Sequence, residues 1–148
     1  MWYVAFVFDH CLYFNTTALA RLLEREWTAA FAELELTPPQ AFMLRLVLDR
    51  PGLSQRELAD AMTIARPTAT RVLDGLEQRR LIRRATGETD AREQRIHPTA
   101  EARAIHDALN IASGNVTRRL KQRLGPQVFE QTVGKIRTVR AALTGGVA

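Results

Sequence analysis

The chain has 148 residues, 46% of them hydrophobic and 25% charged, with a formal net charge of +5. That is the size of one domain with a sizeable core, and its single cysteine excludes an internal disulfide framework and fits a reducing compartment. The charge admits a polyanionic partner without requiring one, because residues 54–99 hold nine basic groups against seven acidic ones.

The first residues, MWYVAFVF, are apolar but far shorter than the roughly 20 residues of a membrane-spanning helix, lack a basic flank and run into Asp9-His10. This argues against a signal peptide and for a soluble, cytoplasmic protein without a membrane partner. From about residue 9 to residue 36, Leu12, Leu19, Leu22, Leu23, Trp27, Phe31 and Leu34 mark a long first helix with a wide apolar stripe. Thr37-Pro38-Pro39-Gln40 is a capping box, with a threonine hydroxyl and a glutamine side chain placed to satisfy orphan backbone donors. Phe42, Leu44, Leu46, Val47 and Leu48 follow as a buried second helix.

Ser54-Gln55-Arg56-Glu57 is a second capping box, and Leu58, Ala59 and Met62 form the buried stripe of a short helix behind it. Only Thr63, Ile64 and Ala65 separate this helix from the next, in which Pro67 fits the first turn because its missing N–H breaks no intrahelical bond. So short a link makes the pair cross steeply, as in a helix-turn-helix. Val72, Leu73 and Leu76 bury one face of the later helix, while Arg66, Thr68, Thr70 and Arg71 crowd its N-terminal half with donors. In that motif such residues meet base edges in the major groove, and the helix start favours phosphate. A merely solvated face is the plain alternative.

Leu81 to Thr86 reads as a strand, Glu93 to His97 as its return, and Gly87 to Arg92 as the loop, with Asp90 placed to hold Arg92 at the tip. A two-stranded ribbon of this kind can rest on phosphates and push Arg92 into a narrow minor groove. Arg95 and Gln94 can reach phosphate from the returning strand, whereas Arg79, Arg80, Arg83 and Arg84 read as a solvated edge. From about residue 98 to residue 144, Ile105, Leu109, Ala112, Val116, Leu120 and Leu124 give one long helix. Gly125-Pro126 then punctuates, and Phe129, Val133, Ile136, Val139 and Leu143 give a last one. Two terminal helices this apolar have few partners inside one small domain, so a second copy of the chain is expected to cover them, an intramolecular hairpin being the alternative.

With LTPPQAFMLRLV, SQRELADAM, ARPTATRVLDGLEQRRLIRR and DAREQRIHPTAEAR in this order, the chain resembles the multiple-antibiotic-resistance regulator (MarR) family of bacterial transcription factors over nearly its whole length. Asp90 and Arg92 occupy the family's wing-tip Asp-x-Arg positions. Three positions depart from the pattern: Thr63 stands where a turn glycine is common, Ala65 where the recognition helix often has a serine cap, and His97 where the fifth helix usually starts with threonine.

The resemblance implies a mainly α (α+β) winged helix-turn-helix, one domain over residues 1–148, with a reading core at about 37–99 and long N- and C-terminal dimerisation helices that interlock across a two-fold axis. It implies a homodimeric repressor of a pseudo-palindromic double-stranded DNA operator. Its expected DNA contacts are Ser54, Gln55, Arg66, Pro67, Thr68, Thr70, Arg71, Asp90, Arg92 and Arg95. A small phenolic or aromatic acid is the implied effector, in a cleft between the first, second and fifth helices lined by Trp27, Phe42 and Leu46. Cys11, near the start of the first helix beside His10 and with Tyr13 two positions on, resembles in placement the peroxide-sensing cysteine of the organic-hydroperoxide-resistance branch. A thiolate favoured at a helix start is what peroxide attacks, although a buried cysteine is also an ordinary small core residue.

An enzyme is not expected, nor a cofactor or metal. Asp9, His10 and Cys11 are consecutive and so point in different directions on a helix, His10, His97 and His106 lack metal-ligand spacing, and no glycine loop cradles phosphate. A winged helix used only for protein contacts is the remaining rival, and Arg71 with Arg92 argues against it.

Overall fold

A computed structural model describes residues 7–145 of the chain; residues 1–6, most of the apolar N-terminal segment, lie outside the described residues. The fold is mainly helical. Helices α1 (Leu12–Phe31) and α2 (Pro38–Asp49) are joined by a 3-10 turn, Ala32–Leu34, so the first helix ends sooner than its apolar stripe suggests. Then come α3 (Gln55–Met62), α4 (Arg66–Gln78), the antiparallel strands β1 (Ile82–Thr86) and β2 (Gln94–Pro98), and helices α5 (Ala100–Ala104), α6 (His106–Leu124) and α7 (Pro126–Gly145). The packing divides the chain into two units, one ending at Ser113 and the other starting at Gly114, with the winged core inside the first. Among the described residues no helix is long and apolar enough to cross a membrane.

Both capping boxes form. Thr37 Oγ1 accepts from Gln40 N–H at 3.3 Å while Gln40 Oε1 accepts from Thr37 N–H at 3.1 Å. Ser54 and Glu57 do the same at 3.1 and 2.8 Å. Each fixes where a helix starts, and apolar burial fixes how it lies. Phe31, Met43, Leu44, Leu58, Leu73, Leu76, Ile96 and Leu109 are completely buried in one core, each contributing about 1.5–3 kcal/mol of transfer free energy. Met62 and Val72, expected in that core, are only half-buried at its edge, and the small Ala69 takes a fully buried place on α4 instead.

The three-residue link leaves α3 through Thr63 at φ 55°, a left-handed conformation that costs a β-branched residue about 1–2 kcal/mol. At the far end of α4, Arg79 donates to the Glu35 and Leu34 carbonyls, tying this helix to the turn after α1. A Cβ on Gly75 would lie 2.7 Å from the side-chain amide nitrogen of Gln40 on α2.

Two sequence expectations about the hairpin are corrected. The ribbon has a third edge: Gly52 N–H donates to Ile96 O at 2.8 Å, Ile96 N–H donates to Leu53 O at 2.9 Å, and Ser54 bridges to Arg95. The fifth helix is capped by Thr99, not begun by His97. Thr99 Oγ1 accepts from Ala102 N–H at 3.2 Å and donates to Arg80 O at 2.7 Å, while His97 stays in β2 opposite Arg83.

In the second unit, Gly125 turns the chain at φ 84° between α6 and α7, and Lys121 Nζ sits 5.3 Å from the centre of the Phe129 ring. The apolar stripe of α7, with Val128, Val133, Ile136, Val139 and Leu143, is exposed.

Candidate nucleic-acid interface

Helix α4 begins without a side-chain cap, because Ala65 offers no oxygen to the first-turn N–H groups, and Pro67 removes one of those donors. Arg66, Pro67 and Arg71 are exposed there; Thr68 and Thr70 are half-buried. Thr70 is already engaged. Its hydroxyl donates to Arg66 O at 3.0 Å and so must accept from Gln55 Nε2 at 2.6 Å, which fixes the Gln55 amide and cross-links the starts of α3 and α4.

The wing loop is folded on itself. Gly87 N–H donates to Glu93 O at 2.7 Å, Glu93 N–H donates to Asp90 O at 3.1 Å, and a Cβ on Gly87 would lie 2.9 Å from Asp90 O. Asp90 Oδ1 accepts from the Arg92 backbone N–H at 2.9 Å. It therefore shapes the turn that carries Arg92, whose side chain is exposed.

Between the start of α3, the start of α4 and the returning strand lies a groove of about 260 Å³ walled by Ser54, Gln55, Arg56, Arg66, Arg92, Glu93 and Gln94. Three separate elements thus bring Arg56, Arg66 and Arg92 around one concavity. Arg56 was not singled out from the sequence; its place right after the Ser54 cap, on the first turn of α3, is the signal that could have found it.

Two expected contacts are placed otherwise. Ser54 is in the groove wall but only 2% exposed, and its hydroxyl closes the start of α3, so it is a strut in that wall rather than a surface donor. The Arg95 guanidinium donates to Glu93 Oε2 at 2.9 Å, to Glu57 Oε2 at 3.4 Å and to Gly52 O at 3.4 Å, and it does not line the groove. The Ser54 backbone N–H above all, and then the Ser54 hydroxyl and the Arg95 charge, hold the Glu57 carboxyl below its ordinary range against an opposing push from desolvation. Arg84 is not a solvated edge residue: it bridges Asp74 at 2.7 Å and Glu77 at 3.0 Å, tying β1 to α4.

An apolar groove of about 410 Å³ runs between α1 and α2, lined by Ala20, Leu23, Glu24, Trp27, Pro38, Pro39 and Phe42. Trp27 and Phe42 line it, with ring centres 6.5 Å apart; the fifth helix, expected as a third wall, contributes no lining residue, and neither does Leu46, one turn further along α2 and half-buried against the core. Trp27 Nε1 donates to Ser113 Oγ at 3.1 Å. Arg45 lies 5.2 Å from the centre of the Phe42 ring with its Nε on Asn110 Oδ1 at 3.0 Å, and burial lowers its pKa. Cys11 is exposed, not a core residue, and as the N-cap of α1 its Sγ accepts from Phe14 N–H at 3.5 Å.

Two helices crossing at a three-residue link, followed by an arginine-tipped hairpin, define a winged helix-turn-helix. A sequence model of the MarR family matches residues 36–94. Transcriptional regulator HosA of Escherichia coli O157:H7 is 30% identical over 103 residues, which are 70% of this chain and 76% of that one. The HTH-type transcriptional regulator YybA of Bacillus subtilis is 28% identical over 91 residues, 62% of this chain and only 61% of YybA's length. Among solved structures, the transcriptional repressor CouR bound to a 23-mer DNA duplex superposes with a TM-score of 0.78 at 25% identity, covering 93% of this chain and 99% of that one. The chain belongs to the MarR family, a family of transcription regulators and not of enzymes.

Proposed function

We propose that the protein is a homodimeric repressor that binds a pseudo-palindromic double-stranded operator in the cytoplasm. The observation that carries this reading is the convergence of Arg56, Arg66 and Arg92 on one groove beside the uncapped start of α4. Guanidinium groups and unfilled backbone N–H groups are what phosphates bind. On this reading Arg71, exposed one turn into α4, reads a base edge, Arg66 and Thr68 flank it, and Arg92 enters the minor groove from the wing that Asp90 shapes. The exposed apolar residues of α1 (Leu12, Leu19, Leu22) and of α7 (Ile136, Val139, Leu143) are then covered by a second copy. The test is fluorescence anisotropy with a labelled mixed-sequence duplex over a range of salt. Phosphate binding predicts that log K falls steeply and linearly with log salt. No binding, together with a salt-insensitive protein partner, would support the protein-interaction reading instead.

The α1–α2 groove is the proposed effector site, with Trp27 and Phe42 as the aromatic walls for a small planar ligand of the kind the family resemblance implies. A ligand there need favour a non-binding arrangement of the two heads by only about 1–3 kcal/mol to release DNA appreciably. Cys11 supports a second reading, release by peroxide, because its thiol is exposed at a helix start. Cys11→Ser separates the two: it leaves ligand-induced release intact under the first and abolishes peroxide-induced release under the second.

A further inference from the structure

The DNA-facing groove contains an electrostatic contradiction that Arg95 resolves. Glu93 forms part of the groove wall, and Glu57 stands on the first turn of α3 beside it. Two carboxylates next to a phosphate path oppose binding, since like charges within a Debye length, about 10 Å at 0.1 M salt, are incompletely screened. Arg95 is not on that wall. Strand alternation puts Gln94 on the groove side and Arg95 on the opposite face of β2, where it lines a separate hollow with Gly52, Ala85 and His97. From there its guanidinium engages Glu93 at 2.9 Å, Glu57 at 3.4 Å and the Gly52 carbonyl at 3.4 Å. One side chain therefore joins the wing, the start of α3 and the strand edge before it.

We propose that Arg95 is a positioning residue for DNA binding: standing behind the groove, it neutralises the Glu57 and Glu93 carboxylates and pins the wing to α3, so that the groove presents Arg56, Arg66 and Arg92 to phosphate without opposing charge. This rests on the DNA-binding reading above. It differs from the expectation that Arg95 itself touches phosphate, because its guanidinium is turned to acceptors of the protein itself.

A double-mutant cycle between positions 93 and 95 tests it, using the labelled mixed-sequence duplex and a duplex recovered from a random library with the wild-type chain. Arg95→Met is expected to weaken binding to both by roughly three- to tenfold at low salt, with the loss shrinking as salt rises. Glu93→Gln is expected to raise affinity more in the Arg95→Met background than in wild type, so that the double variant recovers most of the loss. The proposal is overturned if Glu93→Gln acts by the same factor in both backgrounds, if the double variant is no tighter than Arg95→Met, or if Arg95→Met binds as wild type does. A wild-type chain that binds neither duplex overturns the functional reading itself, and this proposal with it. Should Arg95→Met not fold, the cycle is run with Arg95→Lys. Lysine keeps the charge but lacks the fork that reaches both carboxylates and the Gly52 carbonyl from two nitrogens, so it predicts a smaller loss that Glu93→Gln still reverses.

Discussion

Helices α3 and α4 sit side by side on the same core, yet their starts are built in opposite ways. At α3 the serine hydroxyl and the glutamate carboxylate answer the orphan donors from within the chain. At α4 an alanine answers none of them, and two arginines, Arg66 and Arg71, are among the exposed side chains around that start. A helix start that is satisfied internally is a strut. One left open is available to a ligand, and the hydrogen bond between Gln55 and Thr70 holds the open one in register with the closed one.

The comparison can be broken first at what the helices share. Leu58→Ala and Leu73→Ala, both at fully buried positions, should each lower unfolding free energy by about 2–5 kcal/mol in denaturant titration. A loss confined to one of them would mean that the helices are not anchored alike. Next, Arg71→Ala should cost about 1–3 kcal/mol in operator binding and relax preference at one base position per half-site, with stability within about 0.5 kcal/mol of wild type. Arg92→Ala should instead weaken all sequences and flatten the salt slope.

Smaller effects sharpen the contrast between the two starts. Ser54→Ala should destabilise by about 1 kcal/mol, and Ala65→Ser should stabilise by a similar or smaller amount by giving α4 the cap it lacks. Because the folded-state pKa of Glu57 is depressed, its contribution is present above the unfolded carboxylate pKa and is lost as pH falls through the lower folded value. Glu57→Gln can still close the capping box and should flatten that acid limb, as thermal melts between neutral and acid pH would show. Thr63→Gly should add about 0.5–1 kcal/mol, since relief of the left-handed conformation outweighs the entropy of a freer unfolded chain.

Features governed by neighbours in sequence were legible from the sequence. Both capping boxes, Pro67 in the first turn of α4, the hairpin and the break at Gly125 each depend on residues a few positions apart. What was not legible depends on long separations. Arg95 meets Glu93 two positions away, but it meets Glu57 across 38 positions and Gly52 across 43, and nothing local reveals those two contacts. The edge at Gly52–Ser54 is too short to read as a strand. Ser54 was recognised as a cap, but a cap can face solvent or core, and only the tertiary packing buries it. Leu46 has the apolar character of a groove residue and shares Phe42's face of α2, but it lies one turn beyond the groove, half-buried against the core.

On the proposed reading, the open start of α4, carried twice by a two-fold dimer, reads DNA. Repeated selection of bound sequences from random DNA by the wild-type chain tests it most directly. The expected result is enrichment of an imperfect palindrome whose half-site centres lie one helical turn, roughly 34 Å, apart. A single asymmetric half-site, or no enrichment at low salt, would contradict it.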